Sequence, residues 1–206
     1  MEKNSQQDTQ KSAGRWKLFA VLAVCAAPLF ASYLYYYVVQ PYFGNRPENR
    51  TNYGTLLDPR AYPMPALGAS ALDGKPLSLS AYQGKWIMLQ VDASDCKEAC
   101  TKKLFEMRQL RLTQGKEMDR IERVWLITDT QPLETMLMRE YDGTRMLRVP
   151  PAAVSAWLPA EAGTTVADHI YLIDPLGNLM MRFPKEADPN KIKKDLAKLL
   201  KASRIG

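Results

Sequence analysis

Two cysteines separated by three residues are the strongest sign of chemistry in this sequence. Cys96 and Cys100 lie in the stretch DCKEAC, directly after the apolar run WIMLQV, which predicts a buried strand. Such a pair can form a disulfide, supply half of a metal site, or consist of two unrelated core thiols. If both residues are helical, their Cα atoms lie about 6 Å apart on one helix face. Disulfides accept roughly 4.4–6.8 Å, so a bond is sterically allowed.

The surroundings of the pair favour thiolates. The spacing of the apolar residues that follow predicts a helix beginning near Cys96, and a helix N-terminus stabilises a thiolate. A disulfide inside the first helical turn would be strained and labile unless that turn loosens. Two adjacent thiolates are suitable ligands for Cu(I) or Zn(II). Nearby charges act in both directions, with Lys97, Lys102 and Lys103 supporting a thiolate and Asp95 and Glu98 opposing it.

The third candidate residue is His169, which is the single histidine of the sequence. It begins the stretch HIYLID, which predicts another buried strand. If the loop before this strand packs beside the cysteines, the two sulfurs and one imidazole nitrogen would form a copper site. The alternative is a histidine that only forms hydrogen bonds near a strand end.

The elements that would position these residues follow an α/β order. The pattern predicts strands at residues 86–91, 123–128, 169–174 and 179–183, and helices at 96–112, at 132–141 and after Asp188-Pro189. This is the order of a thioredoxin-like domain, which we assign to residues 65–206. The cysteines fall between the first core strand and its helix, where that fold places its active site.

The N-terminal part of the chain predicts a membrane anchor. Residues 18–39 carry no charge and end in several tyrosines, which is typical of a transmembrane helix meeting the headgroups. A cleaved signal peptide would have a shorter apolar core, and a lipoprotein signal around Cys25 would not continue into so much apolar sequence. We therefore expect a tail at residues 1–17, one transmembrane helix at 18–39 and a linker at 40–64.

The flanking charges predict the orientation. Lysine and arginine precede the span at four positions, whereas the next positive residue after it is Arg46. The positive-inside rule leaves the tail in the cytoplasm and exports the domain. The net charge of +6 is dispersed along the sequence, which is typical of a solvated surface, and we expect no nucleic-acid partner. The inner membrane is an expected partner because of the anchor. An exported cysteine pair meets an oxidising compartment.

The stretch GKPLSLSAYQGKWIMLQVDASDCKEACTKKL resembles the Sco/SenC family, as do Asp168-His169, Tyr171-Leu172 and Pro175-Leu176-Gly177 further on. Members of that family are membrane-anchored, thioredoxin-like proteins of cytochrome c oxidase biogenesis. The resemblance implies that Cys96, Cys100 and His169 bind copper. It also implies delivery of copper to the CuA site of an oxidase subunit, or maintenance of its thiols. An anchor without an Arg/Ser-rich leader favours a bacterial inner membrane, with the domain in the periplasm. A mitochondrial inner membrane is the alternative location.

Two positions depart from the family pattern. Thr101 stands where the family usually has proline, and His169 lies two residues before Tyr171 instead of about five. Because strand side chains alternate, the shorter spacing can turn His169 away from the thiols. A copper chaperone, which is not strictly an enzyme, is therefore one hypothesis. A membrane-tethered thiol–disulfide oxidoreductase using Cys96 and Cys100 is the second, and an assembly protein with a decayed site is the third.

Overall fold

The computed structural model describes residues 5–39, 52–203 and 205. Within the chain there are two compact units, Met1–Arg50 and Thr51–Gly206. Residues 1–4 of the predicted tail and residues 40–51 of the predicted linker lie outside the described residues.

The described part of the first unit, residues 5–39, is helical. Helix α1 (Ser5–Leu34) continues into a π-helical turn, Tyr35–Val39. Within α1, the stretch Trp16–Leu34 is long and apolar enough to cross a membrane. Its mean hydropathy is 1.8, and none of it is buried inside the protein. Among the described residues, this is the one candidate transmembrane helix, and it lies where the sequence predicts the anchor. Its orientation remains a prediction.

The second unit is built on a seven-stranded mixed sheet. The strands lie in the order β1-β7-β6-β3-β4-β5-β2, in which β3, β4 and β5 are parallel to one another and the other pairs are antiparallel. Their bounds are β1 (Thr55–Leu56), β2 (Ser70–Ala71), β3 (Trp86–Asp92), β4 (Ile121–Ile127), β5 (Thr144–Arg148), β6 (Ile170–Ile173) and β7 (Leu179–Arg182).

Helices cover both faces of this sheet. The α-helices described in this unit are α2 (Glu98–Leu112), α3 (Thr135–Glu140), α4 (Pro151–Trp157) and α5 (Pro189–Ala202). Apolar residues of α2 and α5 pack on Met88 and its neighbours, whereas Val154 and Trp157 of α4 pack on the face that carries Leu89. The predicted thioredoxin-like α/β fold is confirmed.

Three elements differ from the sequence expectation. Strand β5 and helix α4 lie between residues 141 and 169, where the sequence pattern predicts no strand or helix. Strand β1 lies inside the predicted linker and pairs with β7. The linker boundary at residue 64 is therefore corrected, because the compact unit begins at Thr51.

The start of the compact unit is held by a buried carboxylate. Asp195 of α5 is 2% exposed, and its Oδ2 accepts hydrogen bonds from the backbone N–H groups of Tyr53 (2.7 Å) and Gly54 (2.9 Å). Position 54 requires glycine because an added Cβ would lie 2.5 Å from Sδ of Met181. This close approach lets the chain enter the sheet directly after residue 54.

Candidate functional site

The cysteine pair lies between β3 and α2, as predicted, and forms a disulfide. The Cα atoms of Cys96 and Cys100 are 5.2 Å apart. The expectation that both are helical is corrected, because α2 begins at Glu98 and Lys97 is its N-cap in an extended conformation. Cys96 thus precedes the helix, and only Cys100 lies in its first turn. The open backbone before the helix brings the two sulfurs together without distorting a helical turn.

The two cysteines differ in exposure. Cys100 is 1% exposed and packs against Leu104, Trp125 and Tyr141, whereas Cys96 is only partly buried. A groove of about 970 Å³, which we call the Cys96 groove, lies beside it and is lined by Ser94, Cys96, Thr101, Asp129, Leu137 and Glu140 among others. Cys96 therefore borders the groove, whereas the packed core covers Cys100.

Hydrogen bonds fix the first turn of α2. The hydroxyl of Thr101 donates to the carbonyl of Glu98 (3.0 Å), and the hydroxyl of Tyr141 donates to the carbonyl of Thr101 (3.2 Å). Thr101 occupies the position where the resembling family usually has proline, and its backbone N–H donates to the carbonyl of Lys97 (2.9 Å). Threonine therefore adds a hydrogen bond at this turn that proline cannot make.

A buried lysine of α2 contacts both the end of β3 and the loop before β6. The ammonium of Lys103 contacts the Asp92 carboxylate at the end of β3 (3.4 Å) and the carbonyl of Ala167 before β6. Burial lowers the pKa of Lys103, and the nearby Asp92 carboxylate partly opposes that shift. Lys103 thus holds the loop before β6 against the helix that carries Cys100.

Sequence reasoning missed Gln90, which lies in β3 and is fully buried. Its Nε2 donates to the sulfur of Cys100 at 3.6 Å. The only signal in the sequence is one polar residue inside the apolar run WIMLQV. An amide in such a run needs a partner, because an unpaired buried polar group is unfavourable.

His169 lies on the other side of the sheet from the cysteines. In the β3–β6 register, Gln90 pairs with Ile170 and Leu89 pairs with Tyr171. Since side chains alternate along extended backbone, His169 leaves the sheet on the face that carries Tyr171, and the two rings make an edge contact at 5.9 Å. The spacing of two residues between His169 and Tyr171 thus places both side chains on the same face of the sheet and turns His169 away from the cysteines.

Protein groups occupy both ring nitrogens of His169, which is fully buried. Nδ1 lies 2.9 Å from the carbonyl oxygen of Phe183 and must donate to it, since a carbonyl only accepts. Nε2 then accepts, and it lies 2.7 Å from the hydroxyl of Thr164 and 3.4 Å from the backbone nitrogen of Glu161. Burial lowers the pKa of His169, which keeps the ring neutral.

The donor set at the cysteines is therefore two sulfurs. Among the described residues, which include Cys96, Cys100 and His169, no group of three His, Cys, Asp or Glu side chains is placed to hold a metal ion. The predicted grouping of His169 with the cysteines is corrected accordingly. Two thiolates released by reduction suit Cu(I), whereas Cu(II) prefers an imidazole that this geometry does not bring to them.

We expect His169→Gln to reduce the pH dependence of stability. Because the folded-state pKa of His169 is lowered, its contribution is complete above the unfolded value of about 6.5 and is lost as the pH falls. The free energy of unfolding of the wild type should therefore fall more steeply between about pH 7 and 5, by at most about 1.4 kcal/mol per pH unit. Urea titrations at several pH values would measure this. Parallel curves for the two proteins would contradict the assignment of a buried neutral imidazole.

Together, the fold and the cysteine turn define a thioredoxin-like domain with a disulfide at the start of its first core helix. A protein-family model described as "Transmembrane-like, thioredoxin-like, C-terminal domain" matches residues 86–203, and the chain belongs to that family. No curated protein sequence matches the chain significantly.

Solved structures show the same fold at low sequence identity. A putative electron transfer protein from Aquifex aeolicus is 15% identical, covering 68% of this chain and 96% of its own, with a TM-score of 0.52. Copper-bound yeast Sco1 is 16% identical, covering 68% and 95%, with a TM-score of 0.50. BsSco, a Sco-family cytochrome c oxidase assembly protein with a disulfide switch, is 16% identical, covering 70% and 95%, with a TM-score of 0.51. The resemblance to Sco proteins is thus confirmed as a likeness of fold.

Proposed function

We propose that this chain is a membrane-anchored thiol–disulfide protein whose reactive group is the Cys96–Cys100 pair. The observation that carries the proposal is the unequal burial of a bonded pair, with Cys96 partly exposed at a groove and Cys100 covered by the core. A disulfide of this kind offers one sulfur to an incoming thiolate and keeps the other as an internal leaving group. The oxidising compartment predicted for the domain suits such a pair.

The exchange takes place in two displacements. A partner thiolate attacks Sγ of Cys96, the Cys96–Cys100 bond breaks, and Cys100 leaves as a thiolate. A second thiolate of the partner then attacks the partner sulfur of this mixed disulfide, and Cys96 leaves. The partner ends as a disulfide, and the two protons lost from its thiols balance those taken up by Cys96 and Cys100. The reverse sequence reduces a partner disulfide.

The reduced pair also supports a second function, the carrying of Cu(I). Once reduced, both sulfurs come from one turn beside the Cys96 groove and provide two soft ligands for this cargo. We propose the CuA site of a cytochrome c oxidase subunit as the recipient of copper or of electrons. This proposal draws on the sequence resemblance and on the likeness of fold to BsSco, a cytochrome c oxidase assembly protein. The domain would then face the bacterial periplasm.

A redox titration of the detergent-solubilised full-length chain tests the first function. The background should be Cys25→Ser, because Cys25 is a free, exposed thiol in α1. After equilibration in glutathione buffers, alkylation and mass measurement should show a transition between zero and two labelled thiols. A pair that stays oxidised in every glutathione buffer would be a structural disulfide, since those have potentials below about −300 mV.

Cu(I) competition on the reduced chain tests the second function. We expect one Cu(I) per chain with the two thiols present and unchanged affinity in His169→Gln, because the imidazole is held elsewhere. A weaker affinity in His169→Gln would bring the histidine back into the site. Absence of Cu(I) binding together with a normal redox transition would leave only the exchange function.

A further inference from the structure

Gln90 is a buried amide whose hydrogen-bonding capacity is only partly used. Its side chain projects from β3 toward α2, and the residue has no exposed surface. Nε2 donates to the sulfur of Cys100, whereas no donor among the described residues reaches Oε1. Buried amide oxygens normally accept a hydrogen bond, so this one calls for an explanation.

The oxidation state of Cys100 changes what this amide can bind. A disulfide sulfur is a weak acceptor and carries no proton. A thiolate is a much stronger acceptor for an N–H group, and a thiol carries an S–H that can donate to an amide oxygen. Since the side-chain amide presents a donor at one end and an acceptor at the other, it can serve both reduced forms of Cys100 after a half-turn of the amide.

Apart from the N-terminus of α2, the groups packed on Cys100 offer little to a negative charge. The side chains packed on Cys100 are mainly apolar, and they include Leu104, Trp125 and Ile127. Among the described residues, the amide of Gln90 is the group that donates a hydrogen bond to this sulfur. A thiolate leaving into such surroundings without a donor would be strongly disfavoured by loss of solvation.

We propose that Gln90 is a catalytic residue for thiol–disulfide exchange, whose amide stabilises the Cys100 sulfur as it leaves and in the reduced protein. This inference rests on the proposed exchange function. Gln90 lowers the barrier of the first displacement by donating to the thiolate, and it shifts the equilibrium toward the reduced pair. In the disulfide form Oε1 of the amide has no hydrogen-bond partner among the described residues, and this unfavourable state of the oxidised protein also favours reduction.

The test compares Gln90→Met with the wild type as full-length chains in detergent, both in the Cys25→Ser background. Methionine has a similar length but neither donor nor acceptor of comparable strength. We expect reduction by glutathione to be about tenfold slower, and the equilibrium constant with glutathione to shift about tenfold toward the disulfide, which corresponds to about 30 mV. Met88→Leu is the matched control, because Met88 is also buried on β3 and packs away from the sulfur. It should leave both quantities unchanged.

A normal rate and a normal equilibrium in Gln90→Met would overturn the role of Gln90 while leaving the exchange function intact. Failure of the wild type to exchange with glutathione would instead overturn the proposed function itself. If Gln90→Met does not fold, the side-chain amide signals of ¹⁵N-glutamine-labelled wild type provide the second measurement. The Gln90 signals should shift strongly on reduction, and identical signals in the two redox states would overturn the proposal.

Discussion

In a chain that retains only one thiol of the pair, Cys96 should react with a disulfide reagent at least 100-fold faster than Cys100. The variants are Cys100→Ser and Cys96→Ser, each in the Cys25→Ser background. The reason is burial, because Cys100 is 1% exposed under the packed core while Cys96 faces the groove. Reaction of Cys100 requires local opening, and an opening free energy of about 2.7 kcal/mol already gives a factor of about 100.

The two variants should also differ in their products. Cys100→Ser should accumulate a mixed disulfide between Cys96 and glutathione, with one glutathione released as thiol, because no internal thiol remains to displace the bound glutathione. Cys96→Ser should form little of this species and should lose exchange altogether. Reaction rates with glutathione disulfide, followed by mass measurement, separate the two behaviours.

Denaturation provides the control for this prediction. In urea the two single-thiol variants should react at similar rates, since unfolding removes the difference in burial. Equal rates in the folded proteins would mean that Cys100 is as accessible as Cys96. In that case the pair would lack the division into attacked sulfur and leaving sulfur on which the proposed exchange depends.

Much of the core could be predicted because its elements have long, strongly patterned apolar runs. Strand β3 and strand β4 are almost wholly buried, and their sequences WIMLQV and VWLIT already suggested this. The last helix was predictable from its cap, since the Asp188 carboxylate accepts a hydrogen bond from the backbone N–H of Asn190. Local signals of this kind do not depend on tertiary context.

Strand β5 and helix α4 escaped prediction for physical reasons. Strand β5 has the sequence TRMLR and is only partly buried, so its arginines conceal the alternation. Helix α4 begins at Pro151 and resembles an irregular Pro/Ala segment, although proline is well tolerated in the first turn of a helix. Whether these residues form a strand and a helix depends on pairing with β4 and on packing against the sheet, and neither contact is visible in the sequence.

The candidate site was predictable only in its cysteines. Their position after a buried strand and before a helix is a local signal. The face on which His169 lies depends on the β3–β6 register, and a shift of one residue would place the imidazole on the opposite face. The contact between Gln90 and Cys100 likewise depends on how α2 packs on β3, although the two residues are only 10 positions apart in sequence.

The carboxylate of Asp195 holds the start of the domain through two backbone hydrogen bonds, one from Tyr53 and one from Gly54. These bonds join positions 141 and 142 residues apart, so no local pattern could reveal them. The same residue lies 3.9 Å from the ammonium of Lys198, measured between Oδ1 and Nζ. Asp195 thus fixes the point at which the chain leaves the linker and enters β1.

Asp195→Ala should therefore be the most destabilising polar substitution considered for this domain. It leaves two backbone donors without their acceptor, and a buried unsatisfied donor costs about 1–3 kcal/mol, so we expect a loss of about 3 kcal/mol in the free energy of unfolding. Asp188→Ala is the matched control on the same helix, because it removes an exposed N-cap worth about 1 kcal/mol. Asp195→Asn keeps one acceptor oxygen and should fall between them.

Urea unfolding of the detergent-solubilised full-length chains measures these differences, and hydrogen exchange locates them. The amide protons of Tyr53 and Gly54 should lose protection in Asp195→Ala before the central strand β3 does, because β1 has only two residues and depends on this carboxylate for its position. Equal stability of Asp195→Ala and Asp188→Ala would contradict the anchoring role. So would unchanged protection at residues 53 and 54, because it would mean that pairing of β1 with β7 holds this segment by itself.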